Sequence, residues 1–392
     1  MKNKNNNKNP KKNVWYLGLV SFFTDVGSEM IFPILPIFLT SVLKANMAIV
    51  GLIEGIAESA SALLKLASGW FSDKFGKKKL LVIGGYSLST ITKPLLAIST
   101  HWTHVLGVRF FDRVGKGIRT SPRDALIAAS TVKKERGKSF GLHRAMDTSG
   151  AIVGTLIAFF ILQKYLGDAF RLIFWLSFIP GLIAVLILVF GVKESKSKVE
   201  KKYSFNFKNL NPNLKRFLFV ILLFNLANFS YAFFILRAQD VGLLIALIPL
   251  VYLVYNLFYA FFAIPAGKLS DIIGRRDVLS TGFLLFGLTA LGFAFVANTF
   301  TIWILFALYG LFMAITDGVS RAYVSDLTIK EERGTTLGAY HTIVGITVLP
   351  ANFIGGILWY KINVFAPFVY AAVLSILAAL LLVILVRKNK YI

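Results

Sequence analysis

Twelve stretches of about 20 apolar residues, separated by short charged connections, leave this chain few ways to fold. They run over 14–39, 47–70, 80–99, 103–126, 140–162, 171–192, 217–237, 243–266, 278–297, 301–327, 337–359 and 364–386. In lipid only helices and closed barrels satisfy their own backbone, and runs this long exceed a barrel strand. The expected fold class is an all-α membrane protein with 12 transmembrane helices. Composition agrees: 16% of residues are charged, against about 25% in soluble domains.

The chain has no cysteine, so it has no disulfide framework, thiolate metal site or cysteine nucleophile. The first span is too long for a signal-peptide core and lacks a small-residue cleavage pattern, so it is read as a mature helix. The net charge of +24 does not point to nucleic acid, because the charges gather in connections and tails rather than along one soluble face. With an even number of spans both tails share one side. That side holds most of the loop Lys and Arg. The other side holds only Lys44, Lys164, Arg171, Arg237 and Lys361. The positive-inside rule makes this a multi-pass cell-membrane protein with both termini cytoplasmic. The basic tail 1–13 also attracts anionic lipid.

A duplicated signature divides the chain. GWFSDKFGKKK begins at Gly69 and GKLSDIIGRRD at Gly267, 198 positions later. KKERGKSFG from Lys133 and KEERGTTLG from Lys330 repeat at a spacing of 197. The expected organisation is a cytoplasmic tail 1–13, a six-helix bundle 14–192, a cytoplasmic linker 193–216, a second six-helix bundle 217–386 and a tail 387–392. The linker contains a short amphipathic piece around 203–210.

G-x-x-x-D-x-x-G-[RK]-[RK] after the second span, repeated after the eighth, resembles the signature loop of the major facilitator superfamily. The resemblance covers essentially the whole chain. It implies two pseudo-symmetric bundles that rock about a central site and expose it to alternate faces. It also implies gating roles for Gly69, Asp73, Gly76 and Lys77, and for Gly267, Asp271, Gly274 and Arg275. Gly69 would allow close helix approach and Gly76 a left-handed turn. By the same analogy Asp73 faces the positive end of a helix starting near Leu337, across the interface. DRVGKGIRTSPRDALIA and FFTDVGSEMIFPILPIFL are similar to a subgroup of prokaryotic drug or metal efflux permeases, some linked to nickel resistance.

A charge at mid-bilayer costs about 2.5–3.5 kcal/mol on insertion scales, so its placement is informative. Inside their end residues spans six, nine and twelve carry none, and span three carries only Lys93. The resemblance puts these four helices outermost. Span one places Asp25 and Glu29 four apart on one face, and span two does the same with Glu54 and Glu58. Span four aligns Arg109, Arg113 and Lys116 with Asp112 beside them. Span five sets His143 four residues before Asp147. Helical rise puts Asp25, Glu58, Asp112 and Arg113 near mid-membrane, where they can meet as a proton or ion pathway. The alternative reading is a set of fixed salt bridges holding these helices in register. Family members often carry R-x-x-Q-G in span four. Here Arg109 is followed by Asp112 and Arg113 instead, so that motif's coupling role is not transferred. The second half adds Asn225 and Asn228 in span seven and Asp317 with Arg321 in span ten, beside tyrosines at helical spacing.

The function expected is secondary active transport by a monomer: proton-coupled efflux of a drug-like or cationic small molecule, with no cofactor. No Walker loop is present to supply ATP drive. Divalent metal export is the alternative, with Asp25, Glu29, His143 and Asp147 as ligands. A membrane-embedded enzyme using His143 and Asp147 as base and partner is a remote third reading, because no nucleophile elbow, paired metal motif or cofactor loop accompanies them.

Overall fold

The computed structural model describes residues 10–75, 77–132, 135–165, 169–194, 211–328 and 333–386. Gly76, the piece at 203–210, Lys133, Lys330 and most of both tails lie outside the described residues. In order, the spanning helices are α1 (Pro10–Ile31), α2 (Met47–Phe75), α3 (Lys78–Ala97), α4 (Trp102–Ala129), α5 (Arg136–Lys164) and α6 (Ala169–Leu176 with Phe178–Gly191). The second half supplies α7 (Pro212–Ala227 with Tyr231–Asp240), α8 (Ile248–Ile273), α9 (Arg275–Phe295), α10 (Thr299–Asp326), α11 (Arg333–Lys361) and α12 (Ala366–Leu385). Among the described residues eleven spans are long and apolar enough to cross a membrane. The twelfth helix is α4, which carries the charged stripe.

The duplication is visible in local backbone chemistry. α1 is interrupted at 32–34, where Pro33 offers no N–H, and resumes as Leu35–Ile37 and a π-helical turn. α7 is interrupted at 228–230, 196 positions later. His101 caps α4 and Asn298 caps α10, 197 apart, with identical φ −137° and ψ 152°. The carbonyls ending α3 and α9 are each met by an arginine, half-buried in the first half and buried in the second. Arg171 donates to Ala97 and Ser99, and Arg237 donates to Phe293, Ala294 and Val296.

The signature stretches differ from the loops expected. α2 continues through Asp73, and α8 continues through Gly267 and Asp271, so these residues are helical. A Cβ on Gly69 would stand 3.5 Å from Ser121, an ordinary contact, and one on Gly267 would meet nothing within 4 Å. Close helix approach is therefore not what either glycine provides. Gly274 is different: it joins α8 to α9 at φ +102°, a conformation that L side chains rarely adopt. Gly274→Ala is expected to cost about 1–3 kcal/mol, seen as a lower unfolding temperature in detergent. Gly267→Ala should hold or raise that temperature, because alanine is the better helix former.

On the side carrying the tails, hydrogen bonds join the two ends of each bundle within that bundle. Asn13 donates to the Lys193 carbonyl at 2.9 Å, and Arg216 donates to the Leu385 carbonyl at 3.2 Å. The two halves meet at the opposite, far side. There α2 packs on α11 so closely that a Cβ on Gly51 would lie 2.2 Å from the Asn352 carbonyl oxygen. A Cβ on Gly356 would lie 2.4 Å from that of Met47. Small residues permit this backbone approach in membranes. Gln239 of α7 donates to Ser41 at 3.2 Å, and Ser59 of α2 donates to the Gly345 carbonyl of α11 at 2.8 Å. The bundle is thus closed at the far side, and its central space lies toward the tails.

Candidate functional site

Below that closure a polar cavity of about 260 Å³ lies between α1, α2, α4, α5 and α8. Phe32 lines its inner end, where the break in α1 brings the ring under two guanidinium groups. Arg113 sits 4.6 Å and Arg109 5.2 Å from its centroid. Below the ring the arginines meet glutamates. Arg109 Nη2 lies 2.8 Å from Glu54 Oε1, with both side chains almost fully buried. Arg113 Nε lies 2.7 Å from Glu58 Oε1, in contact but off the hydrogen-bonding direction. Asp112 lies between them, 3.5 Å from Arg113 and 3.8 Å from Arg109. Two glutamates four apart on α2 thus face two arginines four apart on α4, a ladder that helical periodicity makes possible.

Glu54 also reaches the other half. Its second oxygen accepts from Ser230 Oγ at 3.1 Å, and the Ser230 N–H donates to Asn352 Oδ1 at 2.8 Å. The interruption of α7 leaves backbone groups unpaired at membrane depth, and such backbone persists only where protein groups satisfy it. Asn352 does so here for the Ser230 N–H, while Glu54 holds the Ser230 hydroxyl.

The acids of α1 group differently from the expected centre. Asp25 is not with Glu58 and Asp112. Its carboxyl faces that of Asp147 on α5 within hydrogen-bonding reach, with Glu29 and Lys116 as its next charged neighbours. Asp147 accepts from Ser21 Oγ at 2.6 Å and from Arg144 at 2.9 Å. Glu29 looks toward Tyr252 of α8, and its Oε2 is buried without a partner. One wall of the cavity is therefore carboxylate and the α4 wall opposite is cationic.

Other expected members fall outside this grouping. His143 is buried with Nε2 unpartnered, while Asp147 is engaged elsewhere, so the pair expected for a base and its partner does not form. Among the described residues no three of His, Asp and Glu gather to hold a metal, so Asp25, Glu29, His143 and Asp147 do not converge as ligands. Asn225 is buried and donates to the Ile221 carbonyl of its own helix. Asn228 ends the first piece of α7, and neither asparagine lines the cavity. Asp317 accepts from Arg321 at 2.6 Å and from Tyr259 at 2.7 Å. These residues line a second cavity of about 320 Å³, nearer the tails, with Gly267, Asp271 and Arg275. There Arg275 pairs with Asp271 at 2.6 Å and Asp326 at 3.0 Å, so the second signature's contacts stay within its own half.

The cavity also holds residues that the sequence reading set aside. Lys65, Arg119 and Arg123 line it. Lys93 was assigned to a lipid-facing helix, yet it is buried with Nζ 3.4 Å from the Thr24 carbonyl oxygen. Tyr252, Tyr255 and Tyr309 stack on one another at 5.6 and 5.0 Å, while Asn256 and Tyr259 face the cavity.

The sequence profile of the Major Facilitator Superfamily matches residues 17–238 and again 217–391. The chain belongs to the major facilitator superfamily. Among relatives of this superfamily member, an MFS-type transporter of Methanocaldococcus jannaschii is 44% identical over 390 residues, covering 97% of this chain and 96% of its own length. Multidrug resistance protein 2 of Bacillus subtilis is 22% identical, covering 94% of each chain. Among solved structures, a D-xylose-proton symporter superposes with a TM-score of 0.78 at 15% identity, over 97% of this chain and 98% of its own. That likeness establishes the shared fold.

Proposed function

We propose that this transporter moves a small solute by alternating access, with the facing carboxyls of Asp25 and Asp147 as the site where a proton is taken up and released. The reading is carried by the cavity between the two halves, closed at the far side and lined by ionisable groups at mid-membrane. Intramembrane ionisable residues are costly and mark substrate or proton paths. Two carboxylates side by side hold one proton or one cation between them more readily than they hold two negative charges. The tails and the cavity mouth face the cytoplasm of a cell membrane in this account, as the loop charges require.

The outward direction expected from the sequence is supported by the likeness to the Bacillus relative named for multidrug resistance. Proton-driven efflux requires solute and proton to compete for the cavity, whereas co-movement requires them to bind together. Purified protein in liposomes tests the reading. A solute gradient should drive proton movement across the vesicle wall. Solute movement with no accompanying proton movement at any pH would remove the proton site from the account.

A further inference from the structure

We infer that the cavity's ligand is a small organic anion, held by Lys116, Lys65 and Arg119. This inference rests on the transport reading and names its substrate class.

Among the described residues, Lys65 and Lys116 make no ion pair, although both line the cavity. Arg119 donates to Ser89 Oγ at 2.5 Å and lies 4.3 Å from the Tyr86 ring centroid, with no carboxylate partner. The other arginines of the α4 wall are already matched: Arg113 by Glu58 and Asp112, and Arg123 by Asp124. Three cations therefore face one space without a direct ion pair, with the acids Asp25 and Glu29 lining the same cavity. The charged groups nearest Lys116 are Arg113, Lys65 and Arg119, which repel it, and Glu58, which attracts it but is already held by Arg113. Such crowding at membrane depth is unfavourable unless a negative group joins it.

The cluster is also held in place. Ser121 of α4 donates to the Lys65 carbonyl at 2.7 Å, and Ser68 of α2 donates to the Gly117 carbonyl at 2.9 Å. These two rungs fix α2 against α4, so the backbones that carry the cations need not be ordered on binding. Across the cavity, Asn256 and Tyr259 offer polar groups to the rest of a ligand.

The carboxylate wall couples to this site by charge. Asp25 is faced by Asp147 and Arg144 from α5, Lys116 from α4, Lys93 from α3 and Glu29 on its own helix. A proton bound there removes one negative charge and leaves Lys116 freer to hold an anion. Linkage then makes proton and anion reinforce each other, which gives co-movement and, for an anion, takes the place of the outward exchange that the Bacillus likeness supports.

The test is ligand-induced thermal stabilisation of the full chain in detergent. Succinate supplies a carboxylate, glycerol 3-phosphate a phosphate ester, and tetraphenylphosphonium a lipophilic cation. At least one of the two anions should raise the unfolding temperature saturably, more strongly at lower pH, and the cation should not. Lys116→Gln should weaken that response about tenfold, the loss of one charge-assisted contact, while the ligand-free protein stays as stable or becomes more so. Lys65→Gln provides the same reading should the first variant fold poorly. Stabilisation by tetraphenylphosphonium alone, no response to either anion, or an unchanged anion response in both lysine variants overturns the inference. Because binding is read without a membrane, a clear anion response beside absent vesicle flux would count against transport and not against the anion site.

Discussion

Glu54→Ala is expected to destabilise the folded protein by up to about 3–5 kcal/mol, because it leaves the Arg109 guanidinium charged and buried with only Asp112, 3.8 Å away and shared with Arg113, as a counter-charge. Arg109 has no escape to water: it is 2% exposed, and Phe32 covers one face. The same change removes the acceptor of Ser230 Oγ and loosens the interruption of α7. In practice the variant should accumulate poorly and unfold at a clearly lower temperature. Glu54→Leu combined with Arg109→Met should recover most of the loss, since an apolar pair of similar volume often matches a buried ion pair in stability. It should nevertheless transport poorly, because the contact between halves at Ser230 is gone. If Glu54→Ala were as stable as the natural protein, the ladder between α2 and α4 would not be a structural element of this fold.

Asp25→Asn should behave in the opposite way, keeping the fold and losing the function. Asp25 makes no ion pair among the described residues, so an amide of nearly the same shape leaves no charge stranded. Unfolding temperature and yield should stay near those of the natural protein. Solute-driven proton movement in liposomes should fall to background, because an amide neither gains nor loses a proton in this pH range. Asp147→Asn also removes a partner of Arg144. That guanidinium is more than half exposed, so the stability cost should stay within the 0–1 kcal/mol of a surface pair. Undiminished proton coupling in Asp25→Asn would move the proton site elsewhere, with Glu29 and its unpartnered oxygen as the next residue to examine.

The fold was largely legible because bilayer thickness imposes a length on every span and lipid forbids an unpaired backbone. Each of the twelve apolar runs became helical, and the signature repeat has its counterpart in breaks and caps at nearly the same spacing. Helix ends were less legible: α2 and α8 run on past the apolar windows because turns beyond the lipid tolerate charge while remaining helical. The site was legible only in part. Helical spacing correctly placed ionisable groups on single faces, but it carries no information about which face meets which. It therefore joined Asp25 to Asp112 when the bundle joins it to Asp147. Glu54 was passed over although its four-residue spacing from Glu58 matches that of Arg109 and Arg113, a signal that pairing the two helices by register would have used. Lys93 misled because one charge on an apolar helix gives no hint of its azimuth.

The absence of cysteine from this chain gives the most direct test of alternating access. Ser41→Cys together with Gln239→Cys places the protein's only two thiols where the halves touch at the far side, at side chains now 3.2 Å apart. A short bifunctional thiol reagent should join them in reconstituted vesicles. Each single variant should transport normally with the reagent present. The joined double variant should stop, because the cavity can then no longer open on that side. Full transport by protein shown to be completely cross-linked would contradict the account at its centre.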